Sequence, residues 1–90
     1  MVSSSVLKVY SSYKNSMATD DDLYNELAMA VKERRREDAY YLSRAIYARG
    51  RDEIKEETSK LLVRNDMKDL VPYTYLKEMK NNPSRFMREE

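Results

Sequence analysis

The sequence predicts an all-α fold, a small bundle of four to five helices with one long central helix. Three observations carry that prediction. Apolar residues recur at three- and four-residue steps along most of the chain. The 90 residues include a single glycine and two prolines, so little breaks a helix. Charged residues, 37% of the total, fill the positions between the apolar ones, as on amphipathic helices.

Val6, Tyr10, Tyr13 and Met17 recur at i, i+4, i+7 and i+11, which predicts a first helix beginning near Ser3 to Ser5. Its serines and β-branched valines lower the propensity. A second helix starts in "MATDDDLYNELAMAVKE", where Thr19 and Asp22 have capping-box spacing and three aspartates sit where the macrodipole favours negative charge. Leu23, Leu27 and Val31 then mark its apolar face. "KERRRED", residues 32–38, offers no apolar anchor. A helix running through it from 20 to 64 would be about 68 Å long at 1.5 Å per residue. The two apolar stripes do not join smoothly across this run, which favours a break near Arg36.

Glu37 to Arg64 reads as the long central helix, with Ala39, Leu42, Ile46, Gly50, Ile54 and Leu61 on one broad face. Tyr40, Tyr47, Ile54 and Leu61, seven apart, lie along its edge. Gly50 inside a helix costs about 1 kcal/mol relative to alanine. Close approach of another helix backbone is the expected compensation, ahead of a kink or an early helix end. Asn65 and Asp66 form a stop, Pro72 opens another helix carrying Leu76 and Met79, and Asn81, Asn82 and Pro83 end it.

One domain over residues 1–90 is expected, with a modest core, because a chain of this size buries only about two thirds of its unfolded surface. A partner could therefore matter. Seventeen Lys/Arg against 16 Asp/Glu leave a formal net charge of +1. That balance disfavours a general nucleic-acid coat, whose affinity comes from excess positive charge. Cysteine and histidine are both absent, which removes disulfides, the usual zinc ligands, the usual thiol nucleophile and the usual neutral-pH general base. No phosphate-cradling glycine loop or nucleophile elbow occurs. The expectation is a non-enzymatic protein without metal or cofactor. The opening "MVSSSVLKVYSSYKNSM" lacks a basic and apolar leader pattern, so a soluble, cytoplasmic protein is expected. Abundant Glu, Lys and Arg with one glycine also fit a heat-adapted organism.

Two surfaces compete for a role. Arg34, Arg35 and Arg36 are consecutive and fan over about 200° of a helix, so no flat phosphate track holds all three. The plain reading is a solvated face laced with ion pairs, such as Arg34 with Asp38, Arg49 with Glu53 and Glu57 with Lys60. The sharper alternative is a nucleic-acid-binding module using Arg34, Arg35, Arg36, Tyr41, Arg44 and Arg51. Tyr41 is expected to point outward, and Tyr40 and Tyr47 to lie half-buried at the stripe edge. The second surface is C-terminal: Tyr73, Tyr75, Leu76, Met79, Phe86 and Met87 are more large apolar side chains than a short helix buries on its own chain. Aromatics and methionine are enriched in interface cores, so these six are candidate partner-binding residues. The competing reading is that they close the domain's own core.

"RAIYARGRDEIKEETSKLL" followed by "DLVPYTYLKEMKNNPSRFM" resembles the helical A domain of archaeal GINS subunits, in which a long helix with Tyr and an Arg-x-x-x-Ile/Lys pattern precedes a Leu-x-Pro restart. The match covers about half the chain; Tyr73 and Thr74 stand where that family usually carries an acidic pair. The size is also similar to that of the small helical accessory subunits of archaeal B-family replicative DNA polymerases. Either resemblance implies an accessory subunit that docks onto a larger protein of a replication assembly, touching nucleic acid weakly or indirectly. A self-assembling structural or viral helical protein is a third possibility.

Overall fold

The computed structural model describes residues 1–81. Among them the chain forms five α-helices: α1 (Ser4–Lys14), α2 (Asp20–Lys32), α3 (Arg36–Arg49), α4 (Asp52–Arg64) and α5 (Tyr73–Asn81), with a 3-10 turn at Lys68–Leu70 before the last. No strand occurs among the described residues. The all-α expectation holds, and so does the break near Arg36. None of these helices is long and apolar enough to cross a membrane.

Several helix boundaries have a local cause. At α2 the capping box is complete: the Thr19 hydroxyl accepts the Asp22 N–H at 3.3 Å, and the Asp22 carboxylate accepts the Thr19 N–H at 2.8 Å. Helices α1, α2 and α4 end alike, with one residue in the left-handed region followed by a bond back to the carbonyl five residues earlier. These residues are Ser16 (φ 64°), Arg34 (φ 59°) and Asp66 (φ 64°). The N–H groups of Met17, Arg35 and Met67 return to the carbonyls of Ser12, Ala30 and Leu62 at 2.7, 2.8 and 2.8 Å. This is the Schellman arrangement, built here without glycine.

The single long central helix is not found. Residues 37–64 form two helices, and the chain turns at Gly50 (φ −77°, ψ 166°), which is extended backbone. The reason is tertiary. The N–H of Arg51 is captured by the Asp20 carboxylate at 2.9 Å, and the Arg51 guanidinium lies 3.4 Å from the same group. Tyr13 donates its hydroxyl to the other Asp20 oxygen at 2.8 Å. The end of α1, the start of α2 and the α3–α4 corner are thereby fastened at one carboxylate. Gly50 is closely approached, but by its own helix rather than another: a Cβ there would sit 2.7 Å from the Ile46 carbonyl oxygen.

The second helix makes the hub. Helix α2 packs against α1, α3 and α4, and its Leu23, Leu27, Ala30 and Val31 are buried with Val6, Leu42, Ile46 and Leu62. The whole measures 36 × 25 × 24 Å. Among the described residues Asp38 is the one buried charged side chain. Its carboxylate accepts the Ser3 N–H and hydroxyl, which ties the start of α1 to the first turn of α3.

Candidate functional site

Helix α3 buries Asp38, Ala39, Leu42, Ser43, Ala45 and Ile46. At 100° per residue the opposite side of that helix carries Tyr40 and Arg44, about 160° from Leu42 in either direction. Tyr40 is 48% exposed and stands on this outer side of the helix, not at the edge of its buried face as expected. Tyr41 behaves in the opposite way to its expectation as well. It packs against the core, its ring edge-to-face with Tyr10 at a centroid distance of 5.4 Å and an interplanar angle of 88°. The expected face of Ala39, Leu42 and Ile46 is buried; Tyr41 is covered by Tyr10 of α1, and Tyr40 lies on the far side of that face.

Tyr40 stands as a ridge between grooves. Toward α1 the floor is Tyr41, Ala45 and Ala48, with Tyr10 as the far wall. Toward α5 the wall is Leu70, Val71 and Pro72. At the start of α3 a groove of about 530 Å³ opens between Val2, Tyr41 and Leu70. The ridge itself is held in place: Arg44 donates to the Tyr40 hydroxyl at 3.2 Å, and its guanidinium lies 5.7 Å from the ring centroid. On α1 the Lys14 ammonium lies 5.4 Å from the Tyr10 ring centroid. Sequence reasoning missed Tyr40, Tyr10 and Lys14 as surface elements. The four-residue line Arg36, Tyr40, Arg44, Ala48 was the available signal.

The arginines of the nucleic-acid alternative do not gather on one face. Arg34 donates to the Asn65 carbonyl at 2.9 Å, rather than pairing with Asp38. Arg35 pairs with Glu33 at 2.8 Å and with Asp38, Arg36 pairs with Asp69, and Arg51 pairs with Asp20 and Asp21. The Arg34, Arg36 and Arg51 contacts join distant parts of the chain, and those of Arg35 are local to the start of α3. Arg36, Tyr41 and Arg44 alone of that set border the Tyr40 grooves. Of the expected surface pairs, Glu57 with Lys60 is present at 3.3 Å, while Arg49 and Glu53 fall on different helices.

The C-terminal set is divided in the same way. Tyr73 is 74% exposed. Tyr75 lies against Tyr47, centroids 5.3 Å apart, and both it and Leu76 pack on the core. Met79 is buried. Phe86 and Met87 lie outside the described residues. Between α4 and α5, Asp52, Glu56 and Glu78 line an acidic groove with Thr74 and Tyr75. No group of three or more acidic side chains is arranged to hold a metal ion among the described residues.

Titration behaviour follows burial. Desolvation alone would raise the Asp38 carboxyl, but the Ser3 hydroxyl and N–H and the Arg35 guanidinium together hold it below its ordinary value. Burial pushes the Tyr47 hydroxyl up to about 12. Tyr13 is also pushed up to about 12, by burial first and then by its bond to the Asp20 carboxylate.

Comparison of the chain with protein-family models, with curated proteins and with solved structures gives no match.

Proposed function

We propose that this chain is a non-enzymatic docking module that binds another protein through the Tyr40 face of α3. One observation carries the reading. An exposed tyrosine, fixed by an arginine on its ring, stands between grooves lined by Val2, Leu70, Val71 and the alanines of α3. Tyrosine and arginine are the residue types over-represented among binding hot spots, and a side chain already ordered before binding loses less entropy on docking. Tyr73 on α5 is a second exposed aromatic that a larger partner would reach. The GINS-like order of parts in residues 44–87 supports a finer version, an accessory subunit of an archaeal replication assembly in the cytoplasm.

The nucleic-acid reading is weaker, because Arg35, Arg36 and Arg51 already face carboxylates and would have to break those pairs to reach phosphates. A photo-crosslinking residue placed at position 40, and as a control at the exposed Met29 of α2, tests the proposal in lysate of the source organism. Protein adducts at position 40 that are absent at position 29 are expected, and they persist as salt rises. Equal adducts at both positions sink the docking reading. Binding of the isolated chain to a DNA oligonucleotide with a steep salt dependence would favour the alternative.

A further inference from the structure

The groove between α1 and α3 has a charge as well as a shape. Its walls are Tyr10 and Tyr40; Arg44 lines it beside the Tyr40 ring, and Lys14 reaches the Tyr10 ring from just outside it. Neither cation has a carboxylate within ion-pair distance among the described residues, whereas Arg35, Arg36, Arg51, Lys55 and Lys60 each do. The floor between them is small and apolar, Ala45 and Ala48. A cation resting on an aromatic ring is positioned without being neutralised, so its full charge remains available to a ligand.

We infer that this groove takes an acidic amphipathic peptide segment of a partner protein. An apolar side chain of that segment sits on Ala45 and Ala48, while its carboxylates face Lys14 and Arg44. This rests on the docking reading above and specifies the chemistry of the partner. A peptide fits better than a nucleic-acid strand. Tyr10 and Tyr41 are engaged edge-to-face with each other and Tyr40 holds Arg44, so a stacking base would have to share or displace contacts these rings already make.

The test uses a synthetic peptide of Glu and Leu at helical spacing, and its twin with every Glu changed to Gln. Binding is followed by amide chemical shifts of the labelled full chain. The Glu peptide is expected to shift Tyr10, Tyr41, Ala45 and Ala48 and to bind about tenfold more tightly than the Gln twin at low salt, the effect of two partly exposed ion pairs. Lys14→Ala and Arg44→Ala each remove part of that preference. Both side chains are exposed, and circular dichroism verifies that each variant remains folded. Equal binding of the two peptides in the same groove overturns the acidic assignment and leaves the docking reading standing. Shifts confined to other surfaces overturn it as well. So does tighter binding of oligo-dT in this groove, or concentration-dependent shifts of the same amides without peptide, which would make the occupant the acidic α4–α5 groove of a second copy. Failure of docking itself is read separately, from the crosslinking at position 40.

Discussion

The carboxylate of Asp38 accepts two hydrogen bonds from Ser3, from its N–H at 2.7 Å and from its hydroxyl at 2.5 Å, across 35 residues of chain. Ser3 is the N-cap position of α1, yet its side chain makes no cap bond and is spent on α3 instead. The first helix, whose serines and valines give it little intrinsic propensity, is therefore held from outside. Asp38→Ala leaves the Ser3 donors and the Arg35 guanidinium without their acceptor, so a loss of about 3 kcal/mol in urea unfolding at neutral pH is expected. The pH dependence has a definite sign. The folded carboxyl lies below its unfolded value of 3.8, so its contribution is present above that pH and is lost as pH falls through the folded value. Acid unfolding should accordingly be shallower in Asp38→Ala than in the parent.

Gly50→Ala should destabilise by about 2 kcal/mol, the scale of an overpacked site. The backbone angles at Gly50 suit any residue; the obstruction is the Ile46 carbonyl, 2.7 Å from the new methyl, with the Ile46 side-chain Cγ2 at 3.3 Å. That carbonyl is fixed because it accepts the Gly50 N–H at 2.6 Å. Thermal unfolding of the variant measures the cost, and an unchanged midpoint would mean that the corner relaxes freely.

Ser16→Gly should act in the other direction. Ser16 is exposed and left-handed at the end of α1, where a side chain costs about 1 kcal/mol that glycine does not. A stabilisation of about 1 kcal/mol is expected in urea titration, reduced somewhat by the extra freedom of glycine in the unfolded chain. Together the two substitutions contrast a glycine that steric crowding requires with a left-handed position that lacks one.

Those same positions explain what was legible in the sequence. Helix α2 was readable because its signals are local: the Thr19 and Asp22 box and the Leu23, Leu27, Val31 spacing lie within one segment. The break at residues 32–38 was readable from the mismatch of two stripes. The α3–α4 corner was not, since Gly50 has the phase of a buried residue and helix-forming sequence continues on both sides. What turns the chain is Asp20, distant in sequence, taking the Arg51 N–H. The Ala39, Leu42 and Ile46 face of α3 was readable, whereas the cover over Tyr41 was not, because it comes from Tyr10 on another helix. For the basic run, the expected ion-paired roles are found at Arg35 and Arg36, but Arg34 and Arg35 lie between α2 and α3 and are not fanned over a helix, and the partners differ from the i, i+4 pairs.

Thr58 supplies a different kind of test. It is fully buried on α4, and its hydroxyl has no hydrogen-bond partner among the described residues. An unsatisfied buried hydroxyl carries a desolvation cost with no return, so the nearly isosteric Thr58→Val should stabilise by about 1 kcal/mol. Neighbouring Ser59 is the control. Its hydroxyl is bonded to both the Lys55 carbonyl and the Tyr47 hydroxyl, and Ser59→Ala should destabilise. A loss of stability in Thr58→Val would show that the hydroxyl is satisfied in solution.

Tyr13 and Tyr47 set the alkaline limit. Each hydroxyl is pushed up to about 12 by burial, Tyr13 with the added repulsion of the Asp20 carboxylate it bonds. An acid whose folded pKa is raised favours the folded state fully below its unfolded value of 10.0, and that contribution disappears as pH rises through the folded value. Stability should thus fall between pH 10 and about 12. Phenolate absorbance should carry a late component near pH 12 that loses amplitude in Tyr13→Phe and again in Tyr47→Phe. The two variants differ in a second respect. Tyr47→Phe keeps the packing against Tyr75 and loses one bond to Ser59, whereas Tyr13→Phe releases Asp20 from the hydroxyl that links α1 to the α3–α4 corner. Amide exchange should therefore quicken around Gly50 and Arg51 in the Tyr13 variant and stay unchanged there in the Tyr47 variant. Equal exchange in both would mean that Asp20 holds the corner without help from Tyr13.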